Sequence, residues 1–598
     1  MKFPYGICDF RYINRNGYFY CDRTGKILLL ETTKFQLFIR PRRFGKSLLL
    51  SMLENYYDVA KKDEFEKLFG HLAIGRNPTE LRNSYFILRF DFSCVDPTGK
   101  AEDIRRSLYD HVNACIEGFQ MLYNFKGFNL PHIPIARDNA LYSLKALANA
   151  VQMMPYPVYL LIDEYDNFAN TVMMGVQGPE GRYEALVHEE GPLRTLFKAI
   201  KSGTSGSVFD RVFITGVSPV VMSDITSGYN IAENIYFDSE LNDICGIAEK
   251  ELEAVLQEIV DECGHDPEKT GEALDLMRTY YNGYCFSPAA PEPVYNPTLA
   301  LYFLKQFEKS CDYPRKMLDA NLATDDAKLE YVARLPEGQQ LLMDLVQEGK
   351  GVEIGDMEDR FGIREMVSDS SQDHAFFISF LYYFGVLTIK GETPDLKLIL
   401  KVPNLVTQGL YVERIGQMLL PDPRNRDEGK LAAEQVYQKG DMAPLCRFVE
   451  ERYFKVFHNR DYRWANELTV KTAFLTLLYN DIIYIMDSEH EIDRGHADLT
   501  MIIRPDKRHG KVFDVLIEFK FVTLKESGLS AEKASALSEE EVRELPQMQK
   551  ALETGREQVL SYGDRLEKKY GNLRLKRFVV ASLGFERICF EAVGNYDG

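Results

Sequence analysis

The chain has 598 residues, of which 45% are hydrophobic and 12% aromatic, with 37 Phe and 34 Tyr; this is too much buryable surface for a disordered chain and too long a chain for one core, so several domains are expected. Its net charge of −19, from 71 basic and 90 acidic residues, excludes a protein that coats nucleic acid through a uniformly basic surface but leaves room for a local basic groove. No apolar run approaches the ~20 residues that cross a bilayer, no basic-then-apolar leader is visible, and the ten cysteines include no CxxC pair, so the expectation is a protein of the reducing cytoplasm, off the membrane, with no zinc ribbon and no small disulfide scaffold.

In chain order, an apolar strand is expected at 35–39, then a turn and a helix at 47–58. Further strands are expected at 84–92, 157–162 and 211–215, the last after a helical stretch at 193–201. Continuous apolar strands alternating with helices predict a parallel sheet covered on both faces. Pro288, Pro291, Pro293 and Pro297 mark a boundary at 287–297. From 298 to 418 the chain reads as mainly helical, and its end, a helix at 375–384, Gly385 as a stop and a hairpin through 386–402, resembles part of a winged helix. The stripe Phe376, Phe377, Phe380, Leu381 and Phe384, with few basic residues on the wing, favours packing over DNA docking. The segment 421–429 reads as a linker, and the remainder again mixes helix and strand.

Between the first strand and helix lies Arg40-Pro41-Arg42-Arg43-Phe44-Gly45-Lys46-Ser47. In the pattern G-x-x-x-x-G-K-[ST], backbone N–H groups and a helix N-terminus hold phosphates, the Lys reaches the β/γ oxygens and the hydroxyl binds Mg²⁺. Gly45, Lys46 and Ser47 fit, and Arg43 joins them as a nucleotide contact; Arg40 replaces the first Gly, where a bulky side chain could narrow the loop. The apolar strand 158–162 runs into Asp163 and Glu164, the form of a Walker B strand, with Asp163 on the metal and Glu164 polarising the attacking water. Thr215 or Ser218, after the fourth strand, is placed to sense the γ-phosphate. Either motif alone is near even odds against a helix cap or a solvated strand end; together, in order, they favour a nucleotide site.

These phrases, FRYINRNGYFYCDRT, FIRPRRFGKSLLLSML, VYLLIDEYDNF, VFITGVSPV, YNGYCF and VYNP, resemble the AAA-ATPase-like domain of bacterial proteins that carry a C-terminal PD-(D/E)XK nuclease domain. The likeness covers about half the chain, 1–297, and that family's loop also tends to read RPRRFGK. It implies ATP binding more securely than turnover.

In the last third, a strand opened by Gly495-His496-Ala497-Asp498 and running to Ile503 is followed by a turn and a strand at 512–521 containing Glu518-Phe519-Lys520. Hairpin pairing brings Asp498 to Glu518, and Glu518 and Lys520, two apart, share a face. Two carboxylates that hold Mg²⁺ beside a Lys suit phosphodiester hydrolysis. The set is similar to the PD-(D/E)XK motif, with Glu467, on a helix at 467–479, matching its helical acid. Gln558 and Tyr562, four apart on a helix, are further candidates. His490 and His496 read as ordinary polar residues.

The expected fold class is α/β multidomain: a P-loop, AAA-like ATPase domain at 1–297 with a parallel sheet, a helical, winged-helix-like region at 298–420, and a PD-(D/E)XK nuclease-like domain at 430–598. The catalytic set is Glu164, Asp498, Glu518 and Lys520. The nucleotide set is Arg43, Gly45, Lys46, Ser47, Asp163 and Thr215, and the metal set Ser47, Asp163, Glu467, Asp498 and Glu518. The expected cofactors are ATP and Mg²⁺, and the expected partner is nucleic acid, DNA favoured, with assembly into a homo-oligomer left open. The leading function is an ATPase coupled to Mg²⁺-dependent nucleic-acid cleavage. One rival is a nucleotide-regulated switch or scaffold with an inactive nuclease fold; another is a defence or mobile-element protein active only on assembly.

Overall fold

The computed structural model describes residues 1–96, 100–167, 192–206, 208–219, 230–318, 329–330, 332–333, 338–347, 351–358, 374–459, 466–487, 490–492 and 495–594. The chain divides into two compact units, one of residues 1–311 and 353–403, the other of 312–352 and 404–598.

The first unit is built on a parallel sheet of β1 (Phe35–Ile39), β2 (Phe86–Asp91), β3 (Val158–Asp163), β4 (Phe209–Gly216) and the short β5 (Glu233–Asn234), ordered β2-β3-β4-β1-β5. All six residues of β3 are buried, as an interior parallel strand requires. The order places β1, which feeds the loop at 40–45, directly beside β4, so loop and the ends of β3 and β4 meet at one edge of the sheet. That edge is where open α/β sheets bind ligands. Helix α1 (Lys46–Tyr57) begins immediately after the loop.

Farther along, α2 (Pro297–Ser310) opens with Asn296 accepting from Thr298 N and Leu299 N and with Pro297 in its first turn. Helix α3 (His374–Tyr383) and the hairpin β6 (Thr388–Glu392) and β7 (Leu398–Lys401) belong to this unit. Phe376, Phe377, Phe380, Leu381 and Phe384 are all buried, and Cys285 N donates to Thr388 Oγ1 at 2.7 Å. Cys263 and Cys311 form a disulfide across 48 positions. Cysteine spacing alone did not reveal it, and it runs against the expectation of a reducing surrounding.

The second unit corrects one reading: 421–429 is no linker. Pro423 starts α4 (Pro423–Lys439), capped by Asp422, which accepts from Arg424 N; Asp then Pro is here a helix start and not a break. Helix α5 (Glu467–Leu478) precedes a mixed sheet of β8 (Tyr484–Asp487), β9 (Leu499–Ile503), β10 (Asp514–Val522), β11 (Leu575–Leu583) and β12 (Arg587–Val593), ordered β12-β11-β10-β9-β8. β9 and β10 pair antiparallel, Leu499 opposite Ile517, whereas β10 and β11 run parallel, Glu518 opposite Val579. The parallel crossover is made by the long helix α6 (Pro546–Tyr570). A Cβ on Gly555 would lie 2.4 Å from Val579, so only glycine lets α6 approach β11 this closely.

Candidate functional site

The nucleotide loop is shaped by backbone conformations that few residues adopt. Arg43 has φ +69° and Gly45 φ +93°, and Gly45 caps α1 without a side-chain acceptor. The first-turn N–H groups of α1 therefore face the loop as anion donors. Lys46 is 6% exposed, and its ammonium donates to the carbonyls of Arg40 and Pro41 at 2.8 and 2.9 Å. Burial pulls its pKa down, while Asp166, Asp163 and Glu164 pull it up less strongly.

Arg40 does not narrow the loop. Its guanidinium turns into the core, donating to the carbonyls of Ile39, Tyr236 and Leu241 at 2.9, 2.7 and 3.0 Å, and lies 4.5 and 4.1 Å from the ring centroids of Phe38 and Phe286. Burial pushes its pKa down to about 10. The YNGYCF phrase is thereby explained: Phe286 packs on Arg40, and Tyr284 and Phe286 meet the buried Phe44 ring edge-on at 4.9 and 5.2 Å. VYNP opens α2, whose first-turn Thr298 braces the other side by donating to Arg43 O at 3.1 Å. The motif neighbours hold the loop.

At the facing edge, Asp163 is buried; its carboxylate accepts from the Ser47 hydroxyl, from Arg89 Nη2 at 3.2 Å and from Glu164 N at 3.1 Å. Burial raises its pKa, and the Ser47 hydrogen bond opposes that shift most. Glu164 sits at φ +48°, a strained turn for a non-glycine residue, with its pKa raised by burial against the pull of Lys46. Thr215 is fully buried and its Oγ1 has no hydrogen-bond partner. Ser218 instead donates to Asp166 at 2.9 Å. Beside the loop, an open apolar pocket is lined by Phe19, Tyr20, Phe44, Gly45, Leu48 and Leu49 among others.

In the second unit, the strand opened at Gly495 breaks at Asp498, between Gly495–Ala497 and β9. Asp498 Oδ2 accepts from Phe519 N at 2.7 Å, which fixes this carboxylate beside Glu518. Glu518 is 2% exposed; Oε1 accepts from Lys520 Nζ at 2.9 Å, and Oε2 is buried with no hydrogen-bond partner. Burial, then Asp498, raises its pKa to about 7. Burial depresses Lys520, but Glu518, Asp498 and Glu467 outweigh it and leave that pKa raised. Lys520 also donates to Phe519 O at 2.8 Å.

Glu467 opens α5, close enough for its charge to act on Glu518 and Lys520. Sequence reasoning missed Lys471, one turn on, which is 2% exposed and lies 3.9 Å from Asp498 Oδ1. Its signal was the i, i+4 spacing from Glu467. From α6, Gln558 Oε1 is buried without a partner, and Tyr562 has its pKa raised by burial and by Glu518 and Asp498. The side chains of His490 and His496 lie outside the described residues. Among the described residues, no three His, Cys, Asp or Glu side chains are disposed to share one cation. The expected set of Glu467, Asp498 and Glu518 is therefore not closed as a three-carboxylate cage; Lys471 and Lys520 sit against its acids.

Both sites meet a chemical test of fit: an uncapped helix start, a Lys and a Ser–Asp pair suit a Mg²⁺-nucleotide, and a carboxylate oxygen lacking any donor suits a hard cation. Residues 4–226 match the family described as predicted AAA-ATPase. An uncharacterized protein in the vnfD 5′ region of Azotobacter chroococcum mcd 1 is 29% identical over 311 residues, 51% of this chain and 52% of that protein; the chain spans about half the length of this curated relative. The Aeropyrum pernix Orc1 protein, solved in complex with DNA, aligns at 11% identity over 66% of this chain and 93% of its own, with a TM-score of 0.22, too low to support any conclusion. Among the described residues no helix is long and apolar enough to cross a membrane. Residues 4–226 are thus similar to the family described as predicted AAA-ATPase, and they include strands β1 to β4 of the parallel sheet.

Proposed function

We propose that the chain binds and hydrolyses ATP at the first unit and cleaves phosphodiester bonds of nucleic acid, DNA favoured, at the second. The observation that carries the second half is Glu518, buried with one oxygen unpartnered, fixed beside Asp498 and bonded to Lys520. In the first unit, the α1 N-terminus and Lys46 hold the phosphates, Ser47 and Asp163 hold Mg²⁺, and the apolar pocket beside Gly45 takes the base. Glu164 accepts a proton from the attacking water. In the second, Asp498 and Glu518 hold Mg²⁺, which when bound supplies charge neutralisation and a more acidic water. Lys520 leaves Glu518 to steady the charge that develops on the phosphate, and Gln558 orients water through its buried oxygen.

The rival reading, a nucleotide-regulated switch whose nuclease fold does not cut, is favoured by Lys471 and Lys520 lying against the carboxylates and by the described residues offering no three acids disposed to share one cation. Incubating the full chain with plasmid, linear and single-stranded substrates, with and without ATP and Mg²⁺, separates the two. Mg²⁺-dependent cleavage lost in Lys520→Ala supports the first. Nucleotide binding with no cleavage of any substrate establishes the second.

A further inference from the structure

In a chain of net charge −19, two turns of the second unit stand out. The stretch 504–511, Arg-Pro-Asp-Lys-Arg-His-Gly-Lys, carries four Lys or Arg and one acid; 568–577, Lys-Lys-Tyr-Gly-Asn-Leu-Arg-Leu-Lys-Arg, carries five and none. The first turn leads from β9 into β10 and the second from α6 into β11. Because β10 and β11 run parallel, with Asp514 opposite Leu575, both turns arrive at the same end of the sheet.

A buried acid ties them together. Asp514 is 0% exposed; its Oδ2 accepts from Arg508 Nη1 at 2.6 Å and from Arg574 N at 2.9 Å, and its Oδ1 from Ile503 N at 2.8 Å. Arg574 Nη2 then donates to Arg508 O at 3.0 Å. Nearby acids are already engaged: Asp506 with Arg504 and Lys507, and Asp564 and Glu567 with Arg577. The side chains left facing solvent are mainly cationic, with Lys511, Lys568, Lys569 and Arg574 exposed. Lys568 and Lys569 stand in the last turn of α6.

We infer that these two turns form a docking surface for the phosphate backbone of a nucleic acid, placed upstream of Glu518 on the same strand. The inference rests on the nucleic-acid reading of the second unit and adds the surface that holds the polymer. Asp514 precedes Glu518 by four residues in β10, about 13 Å at ~3.3 Å per residue. A strand of nucleic acid covers that span in about four nucleotides at ~3.4 Å each. A polyanion held by these turns at the Asp514 end of β10 would reach the carboxylates with a phosphate at least about four nucleotides farther along.

The test uses the full chain without divalent metal, so that nothing is cut, and fluorescein-labelled duplex DNA, single-stranded DNA and single-stranded RNA, titrated across a range of salt. The triple variant Lys511→Glu, Lys568→Glu, Lys569→Glu leaves the Asp514 clamp intact, and Lys145→Glu, exposed on a helix of the first unit, controls for a charge reversal placed away from this surface. The triple variant is expected to bind at least ~10-fold more weakly on at least one of the three, with the slope of log affinity against log salt shallower by about 2 to 3, while Lys145→Glu binds as the parent does. The ranking of the three polymers in the parent identifies which backbone the surface takes. Unchanged affinity and slope in a triple variant with parental thermal unfolding would overturn the inference, as would loss of binding to anionic phospholipid vesicles with nucleic-acid affinity intact. The underlying reading fails separately: a parent that binds nucleic acid with this salt dependence but never cuts keeps the surface and loses the nuclease, whereas a triple variant that binds and cuts like the parent keeps the nuclease and loses the surface.

Discussion

The two lysines at the centre of the two sites are held by opposite means. Lys46 rests on backbone carbonyls, and burial lowers its pKa; Lys520 rests on Glu518, and the surrounding carboxylates raise its pKa. The first site is made of backbone, in the left-handed conformations of Arg43 and Gly45 and the bare start of α1. The second is made of side chains gathered from α5, β9, β10 and α6. A backbone site depends on the residues that brace it, so Arg40, Phe44 and Phe286 matter as much as Lys46. A side-chain site depends on register, since a one-residue slip of β10 would turn Glu518 and Lys520 to the other face.

This contrast can be broken most sharply by removing one group from each site. Glu518→Ala is expected to abolish cleavage while ATP binding stays intact, and Lys46→Ala to abolish ATP binding while the protein stays folded; nucleotide titration beside a cleavage assay reads both. Loss of nucleotide binding in Glu518→Ala would show that the sites are not separable. Next in size is Arg40→Ala. It leaves three carbonyls without their donor, at about 1–3 kcal/mol each when buried, so stability measured by denaturant should fall by ~3 kcal/mol or more. Arg40→Gly, which restores the usual loop glycine, should do no better. A neutral or stabilising Arg40→Gly would mean that the side chain is a lesion in the loop.

How much of this was legible differs between the sites for the same reason. Strands β1, β3 and β4 are visible because interior parallel strands are unbroken apolar runs, Asp163 with Glu164 ends such a run, and β2, though at the sheet's edge, keeps a mostly buried apolar run. The Gly45-Lys46-Ser47 loop is local, so its position is read directly from the chain. What Arg40 does was not legible, because its acceptors on Tyr236 and Leu241 lie about two hundred positions away. Asp498, Glu518 and Lys520 are legible through strand alternation, whereas the i, i+4 spacing of Lys471 from Glu467 is shared by many solvated helix pairs and does not mark a buried lysine. The helix start at Asp422-Pro423 looks like a linker in the sequence because Pro, Asp and Arg are also what loops are made of.

Two smaller effects sharpen the comparison. Glu164→Gln should retain ATP while turnover falls roughly 10²-fold, as for loss of a general base; undiminished turnover would assign the water to another residue. The pH dependence of the metal-free chain should report the protonation of Glu518. Glu518's pKa of about 7 lies above its ordinary 4.5, so between those values the folded chain holds a proton that the unfolded chain releases. Its contribution to stability is therefore lost as pH rises through that window. Glu518→Gln should flatten that slope in denaturation series taken between about pH 5 and 7, and an unchanged slope would place the titration elsewhere.

The most direct test of the second site is a calorimetric Mg²⁺ titration of the parent, Asp498→Ala and Lys520→Ala, set beside cleavage by the same samples. The account predicts that Asp498→Ala loses both metal binding and cleavage, whereas Lys520→Ala keeps metal binding, or gains slightly as a competing charge leaves, and loses cleavage. Cleavage that survives in both variants would contradict it.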